Sequence, residues 1–287
     1  MIASQLREIL QSASSGTVSG SSWLGTLTER KKREIEFHDA DRAALAALTP
    51  ENREQSAANR KYYAVTRGIS SYMERWILEQ AKDRVFLDYA CGEGRAATLA
   101  SQVAQLSIGI DISPTSLELA RQHADSRGAG DRVIFLQADC EKTGLPDSCV
   151  DVVLCSGMLH HLDLSYAMPE LRRILKAGGR ILAMEALNYN PLIKLYRQCT
   201  PDLRTEFEKE HILSLKDVTF MRRFFRVQNI RYWNLATLLA VPFRHTAAFN
   251  PLLSSLEGVD GVLGRIPGVA QMSWMFSFEL VKSAEEN

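Results

Sequence analysis

From residue 85 onward, short β-branched apolar runs alternate with amphipathic stretches. Segments 85–89, 106–110, 133–137, 150–155 and 180–185 read as strands, and 95–105, 116–127 and 167–175 as helices. Strand and helix in alternation imply βαβ units, hence an α/β fold built on a doubly wound, mostly parallel sheet with helices on both faces. Val150, Val152, Val153 and Leu154 give the near-continuous apolar run expected of a strand buried on both sides. Segments 225–233 and 274–281 bring the sheet to about seven strands.

The first 82 residues have a different rhythm. Residues 2–11 predict a short amphipathic helix with Ile2, Leu6, Ile9 and Leu10 on one face, followed by a Ser/Gly-rich stretch at 12–22 that reads as mobile. Residues 28–80 are helix-like, broken at Thr49-Pro50, with apolar spacing through Tyr72, Trp76 and Ile77. The expected organisation is an N-terminal helical region over 1–82 and a core over 83–287. A basic, aromatic insertion at about 188–224 would cover one mouth of the sheet. Segments 235–243 and 247–253 are apolar enough for core packing, a greasy pocket or a subunit contact, so a homo-oligomer stays open.

Composition narrows the function. The 287 residues carry 34 Lys+Arg against 34 Asp+Glu, so no global charge favours nucleic acid or an anionic membrane. No apolar run approaches the roughly 18 residues that span a bilayer, and the N-terminus lacks the plan of a secretory signal, so a cytoplasmic protein is expected. Five cysteines without a C-x-x-C pair speak against a disulfide framework and a structural zinc site, and no metal is expected.

In an open α/β sheet, ligands bind beyond the carboxyl ends of the strands. Those ends carry Asp88-Tyr89-Ala90-Cys91-Gly92-Glu93-Gly94, then Asp111, then Asp139-Cys140, then Ser156-Gly157-Met158-Leu159-His160-His161. Gly92 to Ala97 satisfies the G-x-G-x-x-A dinucleotide fingerprint, and Asp111 lies near the spacing of its ribose acid, so NAD is one reading. The additional acids Asp88 and Asp139 argue the other way. A carboxylate beside the glycine loop repels a pyrophosphate but suits an ammonium group.

The ordered set of residues 87–94, Asp111, Asp139 and the 145–154 segment resembles the class I S-adenosylmethionine-dependent methyltransferases, in their small-molecule branch; Ala177-Gly178-Gly179-Arg180 resembles that family's turn before its fifth strand. The resemblance covers about residues 84–190, and Ala90 departs from it where the family usually has glycine. It implies a Rossmann-like fold with S-adenosyl-L-methionine as cofactor and an N-terminal helical lid. By position, Asp88, Gly92 and Gly94 would hold the methionyl end and Asp111 the ribose hydroxyls, with Cys91 and Ser156 further residues of the cofactor site. Asp139 would take the adenine amino group beside Cys140, while Ile112 and Met158 would sandwich the purine or line the sulfonium. Tyr63 and Arg67 of the lid would meet the methionyl carboxylate.

Methyl transfer from a sulfonium needs alignment more than catalytic machinery, but a histidine general base would help a hydroxyl, phenol or acidic carbon. His160 and His161 follow the fourth strand; adjacent residues point apart, and the resemblance favours His161. His38 of the lid and Arg197, Arg204 and His211 of the insertion are candidates for holding an anionic group of a small, partly hydrophobic acceptor. No N/D-P-P-Y/F motif follows the fourth strand, so a nucleic-acid substrate is not expected. An NAD-dependent oxidoreductase and a catalytically silent cofactor-binding subunit are the alternatives.

Overall fold

The computed structural model describes residues 3–15, 27–46, 60–200 and 205–284. Most of the 12–22 stretch, the Thr49-Pro50 break and Arg204 lie outside the described residues. The strands β1 (Val85–Tyr89), β2 (Leu106–Asp111), β3 (Val133–Gln137), β4 (Val150–Ser156), β5 (Leu175–Ala186), β6 (Arg226–Trp233) and β7 (Met275–Val281) form one sheet in the order β3-β2-β1-β4-β5-β7-β6. The first five are parallel, and β7 runs antiparallel between β5 and β6. β5 starts earlier than the apolar pattern suggests. Leu175 pairs with Val150, the chain bulges through Gly178 at φ 72°, and Arg180 rejoins opposite Val152.

The described helices are α1 (Ala3–Ser15), α2 (Glu29–Ala46), α3 (Arg60–Tyr63), α4 (Arg67–Gln80), α5 (Arg95–Ala100), α6 (Pro114–Ser126), α7 (Leu164–Ile174), α8 (Pro191–Cys199), α9 (Glu206–His211), α10 (Leu215–Met221) and α11 (Phe249–Leu263). Alternate side chains of the central strands enter opposite faces of the sheet. Leu87, Val153 and Ile181 pack with Leu6 of α1, Leu171 of α7 and Met221 of α10. On the other face Phe86, Val152 and Leu182 pack with Trp76 and Ile77 of α4 and Ala100 of α5. In α1 the buried stripe is Ala3, Leu6 and Leu10, whereas Ile9, expected on it, is exposed: 3, 6 and 10 follow the helical i, i+3, i+7 repeat and 9 falls outside it.

The chain runs from β1 outward through β2 and β3, then returns to place β4 on the other side of β1. That reversal opens a crevice beyond the carboxyl ends of β1 and β4, and α2 lies over it. Within the 235–253 segment Ala240, Val241 and Leu253 are buried with Val65 in a small cluster edged by Tyr62 and Trp274, whereas Leu239 and Phe243 are exposed. No described helix is long and apolar enough to cross a membrane.

Because Leu6 is 1% exposed, Leu6→Ala is expected to cost about 2–4 kcal/mol in urea unfolding, as for other core leucine truncations. A loss under about 0.5 kcal/mol would show that α1 is not docked on the sheet.

Candidate active site

The loop after β1 needs unusual backbone. Ala90, Gly92 and Gly94 adopt φ of 59°, 51° and 69°, a region that suits glycine and strains alanine. The loop is pinned where it passes β2: Cys91 N–H donates to the Ile110 carbonyl at 2.8 Å, and Gly92 N–H to Asp111 Oδ2 at 2.8 Å. A Cβ on Gly94 would stand 2.7 Å from the Phe135 ring and 2.8 Å from Ala120, so this glycine lets α5 approach α6 and β3.

Asp88, Asp111 and Asp139 are buried around one cavity of about 580 Å³. Asp88 accepts from Ala97 N–H at 3.0 Å and Asp111 from Ser113 N–H at 2.9 Å, so both brace the strand-to-helix turns while facing the cavity. Burial, with a smaller contribution from the Asp111 charge, overrides the Ala97 hydrogen bond and pushes Asp88 up to about 7. Asp139 gives Oδ1 to Glu141 N–H at 2.9 Å and Oδ2 to Lys31 Nζ at 2.5 Å.

The opposite wall comes from α2. Arg30, Glu34, His38 and Arg42 recur every four residues with Lys31 beside them, and all five line the cavity, a polar stripe on one helical face. Arg30 pairs with Glu141, donates to the His161 carbonyl at 2.6 Å and lies 4.5 Å over the Phe207 ring. Glu34 Oε2 is 3.0 Å from His161 Nδ1 and 3.6 Å from His38 Nε2, and its Oε1 accepts from Thr205 Oγ1 at 2.6 Å. Burial would raise Glu34, but these partners outweigh it and hold the carboxyl below its usual range. Burial and the neighbouring His160 lower His161 despite the raising pull of Glu34. Arg42 approaches Gly92, its Nη2 lying 3.1 Å from where a Cβ would sit, and its buried Nε has no hydrogen-bond partner.

Residues 87–183 match the family described as Methyltransferase domain. Over that stretch the chain is similar to this family. It is 30% identical over 161 residues to an uncharacterized methyltransferase of Bacillus subtilis (strain 168), covering 54% of this chain and 62% of that protein. It is 36% identical over 111 residues to a demethylmenaquinone methyltransferase of Thermus thermophilus, covering 38% and 49%. The chain thus spans about half to three-fifths of these relatives' lengths. In fold it is similar to a geranyl diphosphate C-methyltransferase of Streptomyces coelicolor A3(2), with TM-score 0.59, 16% identity and coverage of 89% of this chain and 98% of that one.

The fold brings Tyr63, Asp88, Cys91, Gly92, Asp111, Ile112, Asp139, Cys140, Ser156, Met158, His38 and His161 to the one cavity. Burial pushes the Cys91 and Cys140 thiols well up, so neither is a thiolate nucleophile. Other expected residues lie elsewhere. Gly94 supports the loop from beneath and does not line the cavity. Arg67 pairs with Glu257 at 2.5 Å and donates to Ser254 at 3.0 Å, tying α4 to α11. Arg197 donates to the Leu187 carbonyl at 3.5 Å, and His211 bonds the Phe207 carbonyl at 2.7 Å while stacking on that ring; neither lines the cavity.

His160 also turns away from the cavity. Its Nδ1 is 2.6 Å from Glu185 Oε2, and its Nε2 is 4.0 Å from Glu208. Burial alone would lower His160, but the Glu185 carboxylate outweighs it and raises the pKa. Glu185, fully buried, also accepts from the Met158 and Leu159 N–H groups at 2.9 and 2.8 Å, which fixes the turn that carries His161. Glu34 and Arg42 were missed by sequence reasoning; their signal was the i, i+4 spacing of residues 30, 34, 38 and 42.

Glu185→Ala, which leaves His160 and two amides without their acceptor, is expected to cost about 3–5 kcal/mol in denaturant unfolding. Unchanged stability would remove Glu185 from this bracing role.

Proposed function

We propose that the protein is an S-adenosyl-L-methionine-dependent methyltransferase acting on a small molecule with an apolar body and a nucleophilic polar atom. The observation that carries the reading is the set of three buried acids at successive strand ends around a left-handed glycine loop. An orphaned guanidinium nitrogen, Arg42 Nε, lies in the same cavity. Three carboxylates repel a pyrophosphate, whereas the Arg42 guanidinium beside them suits a zwitterionic amino-acid tail. Asp88 takes the ammonium end, and Arg42, in place of Arg67, the carboxylate. Asp111 holds the ribose hydroxyls, each oxygen keeping a lone pair beyond its backbone bond. Ile112 and Met158 flank the purine. Asp139 receives the adenine amino group alongside Lys31 or after Lys31 withdraws.

When bound, the cofactor supplies an activated methyl on a sulfonium, which passes to the acceptor by in-line displacement. The chain's own residues align the partners and exclude water. Met73, Leu154 and Leu162 offer the acceptor an apolar wall, and Glu34, His38 and His161 a polar one. Lipophilic acceptors fit this division, as does the name of the quinone methyltransferase relative. The anionic group expected from the insertion has no support from Arg197 or His211, which lie off the cavity.

Calorimetric titration is expected to show micromolar binding of S-adenosylmethionine and S-adenosylhomocysteine and none of NAD; NAD binding alone would overturn the reading. Asp111→Ala is expected to weaken both by about 1–3 kcal/mol. Arg42→Ala is expected to weaken S-adenosylhomocysteine about tenfold or more while sparing methylthioadenosine, which lacks the amino-acid tail. Equal effects on the two ligands would take Arg42 off the carboxylate.

Affinity is also expected to depend on pH through Asp88. A cationic ligand favours the ionised carboxylate, so binding releases a proton wherever Asp88 is protonated, and affinity rises with pH up to about 7 before levelling. In the ligand-free protein the raised pKa makes the folded state the tighter proton binder above the unfolded value, so this group's contribution to stability falls as pH rises toward 7. Asp88→Asn should flatten the binding profile; an identical profile in wild type and variant would assign the proton elsewhere.

A further inference from the structure

We propose that Glu34, His38 and His161 hold a first-row divalent metal ion of the Zn2+ class on the acceptor side of the cavity. Their ligand atoms all lie within 4.8 Å of one another, and all three residues line the cavity. Two atoms each about 2.1 Å from a tetrahedral ion stand about 3.4 Å apart. The separations here, 3.0 Å from Glu34 Oε2 to His161 Nδ1 and 3.6 Å to His38 Nε2, bracket that value. Glu34 and His38 are one helical turn apart on α2, so both project from one face, and His161 meets them from the turn after β4.

The surroundings have the form of an outer coordination shell. Thr205 Oγ1 holds the other oxygen of Glu34 at 2.6 Å, and Arg30 fixes the His161 carbonyl at 2.6 Å. Two imidazoles with one carboxylate select Zn2+, Fe2+, Co2+ or Ni2+ over Mg2+ or Ca2+, which take oxygen donors. Three protein ligands on a cavity wall leave a position for an exogenous ligand, the plan of a catalytic site. On the methyltransferase reading above, that position takes an acceptor oxygen. The hydroxyl proton leaves to solvent, the oxygen lone pair forms the new O–C bond, and the broken C–S bond leaves its electron pair on sulfur. His161 then serves as a ligand in place of the general base expected from sequence.

The test is equilibrium dialysis of chelator-treated full-length protein against Zn2+, with metal counted per chain, and Co2+ substitution followed by visible absorption. One saturable equivalent is expected, weakened at least tenfold in His38→Ala and Glu34→Gln and unchanged in His123→Ala. Co2+ should give d–d bands without thiolate charge transfer, a readout on the wild-type protein that needs no folded variant. No saturable binding, stoichiometric binding indifferent to His38→Ala, or a thiolate spectrum would each overturn the site. S-adenosylhomocysteine affinity measured on the same samples separates loss of the metal from failure of the cofactor reading.

Discussion

Asp88, Asp111 and Asp139 lie buried in one mouth of the sheet, where an uncompensated carboxylate is costly, and cations that face the cavity come chiefly from α2. Backbone amides satisfy part of each acid. Lys31 meets Asp139 at 2.5 Å and Glu141 at 2.7 Å, and Arg42 stands over Gly92. Among its described residues α2 buries only Glu34, so charge and hydrogen bonding, more than apolar burial, set its place.

The same helix joins segments far apart in the chain. Glu34 reaches His161 after β4 and Thr205 before α9; Arg30 reaches Glu141 after β3 and packs over Phe207 of α9. Glu185 at the end of β5 holds the His161 turn from beneath. The wall around Glu34 and His161 is therefore complete only when α2, the β4 turn and α9 are assembled, while the three acids stand on the strand ends themselves.

Sequence periodicity was sufficient where burial is two-sided. β1 and β2 are buried throughout, and their apolar runs mark them directly; the acids that follow them reach the cavity because strand ends converge there. It failed where partners come from distant segments. Arg67, expected at the methionyl carboxylate, pairs with Glu257, and the preference for His161 over His160 rested on the resemblance, whereas the structure ties His160 to Glu185. Glu34 and Arg42 of α2 escaped notice because the inward face of that helix is polar, and amphipathicity measures look for an apolar one. The arginines of the insertion read as an anion clamp on composition alone, yet Arg197 serves the backbone at Leu187.

The most direct measurement is a crystal structure with S-adenosylhomocysteine bound. The account places the amino-acid carboxylate on the Arg42 guanidinium, the ribose hydroxyls on Asp111, and α2 closed over both. A ligand whose carboxylate faces solvent or Arg67, with Arg42 remote from it, would contradict the claim that α2 completes the cofactor site.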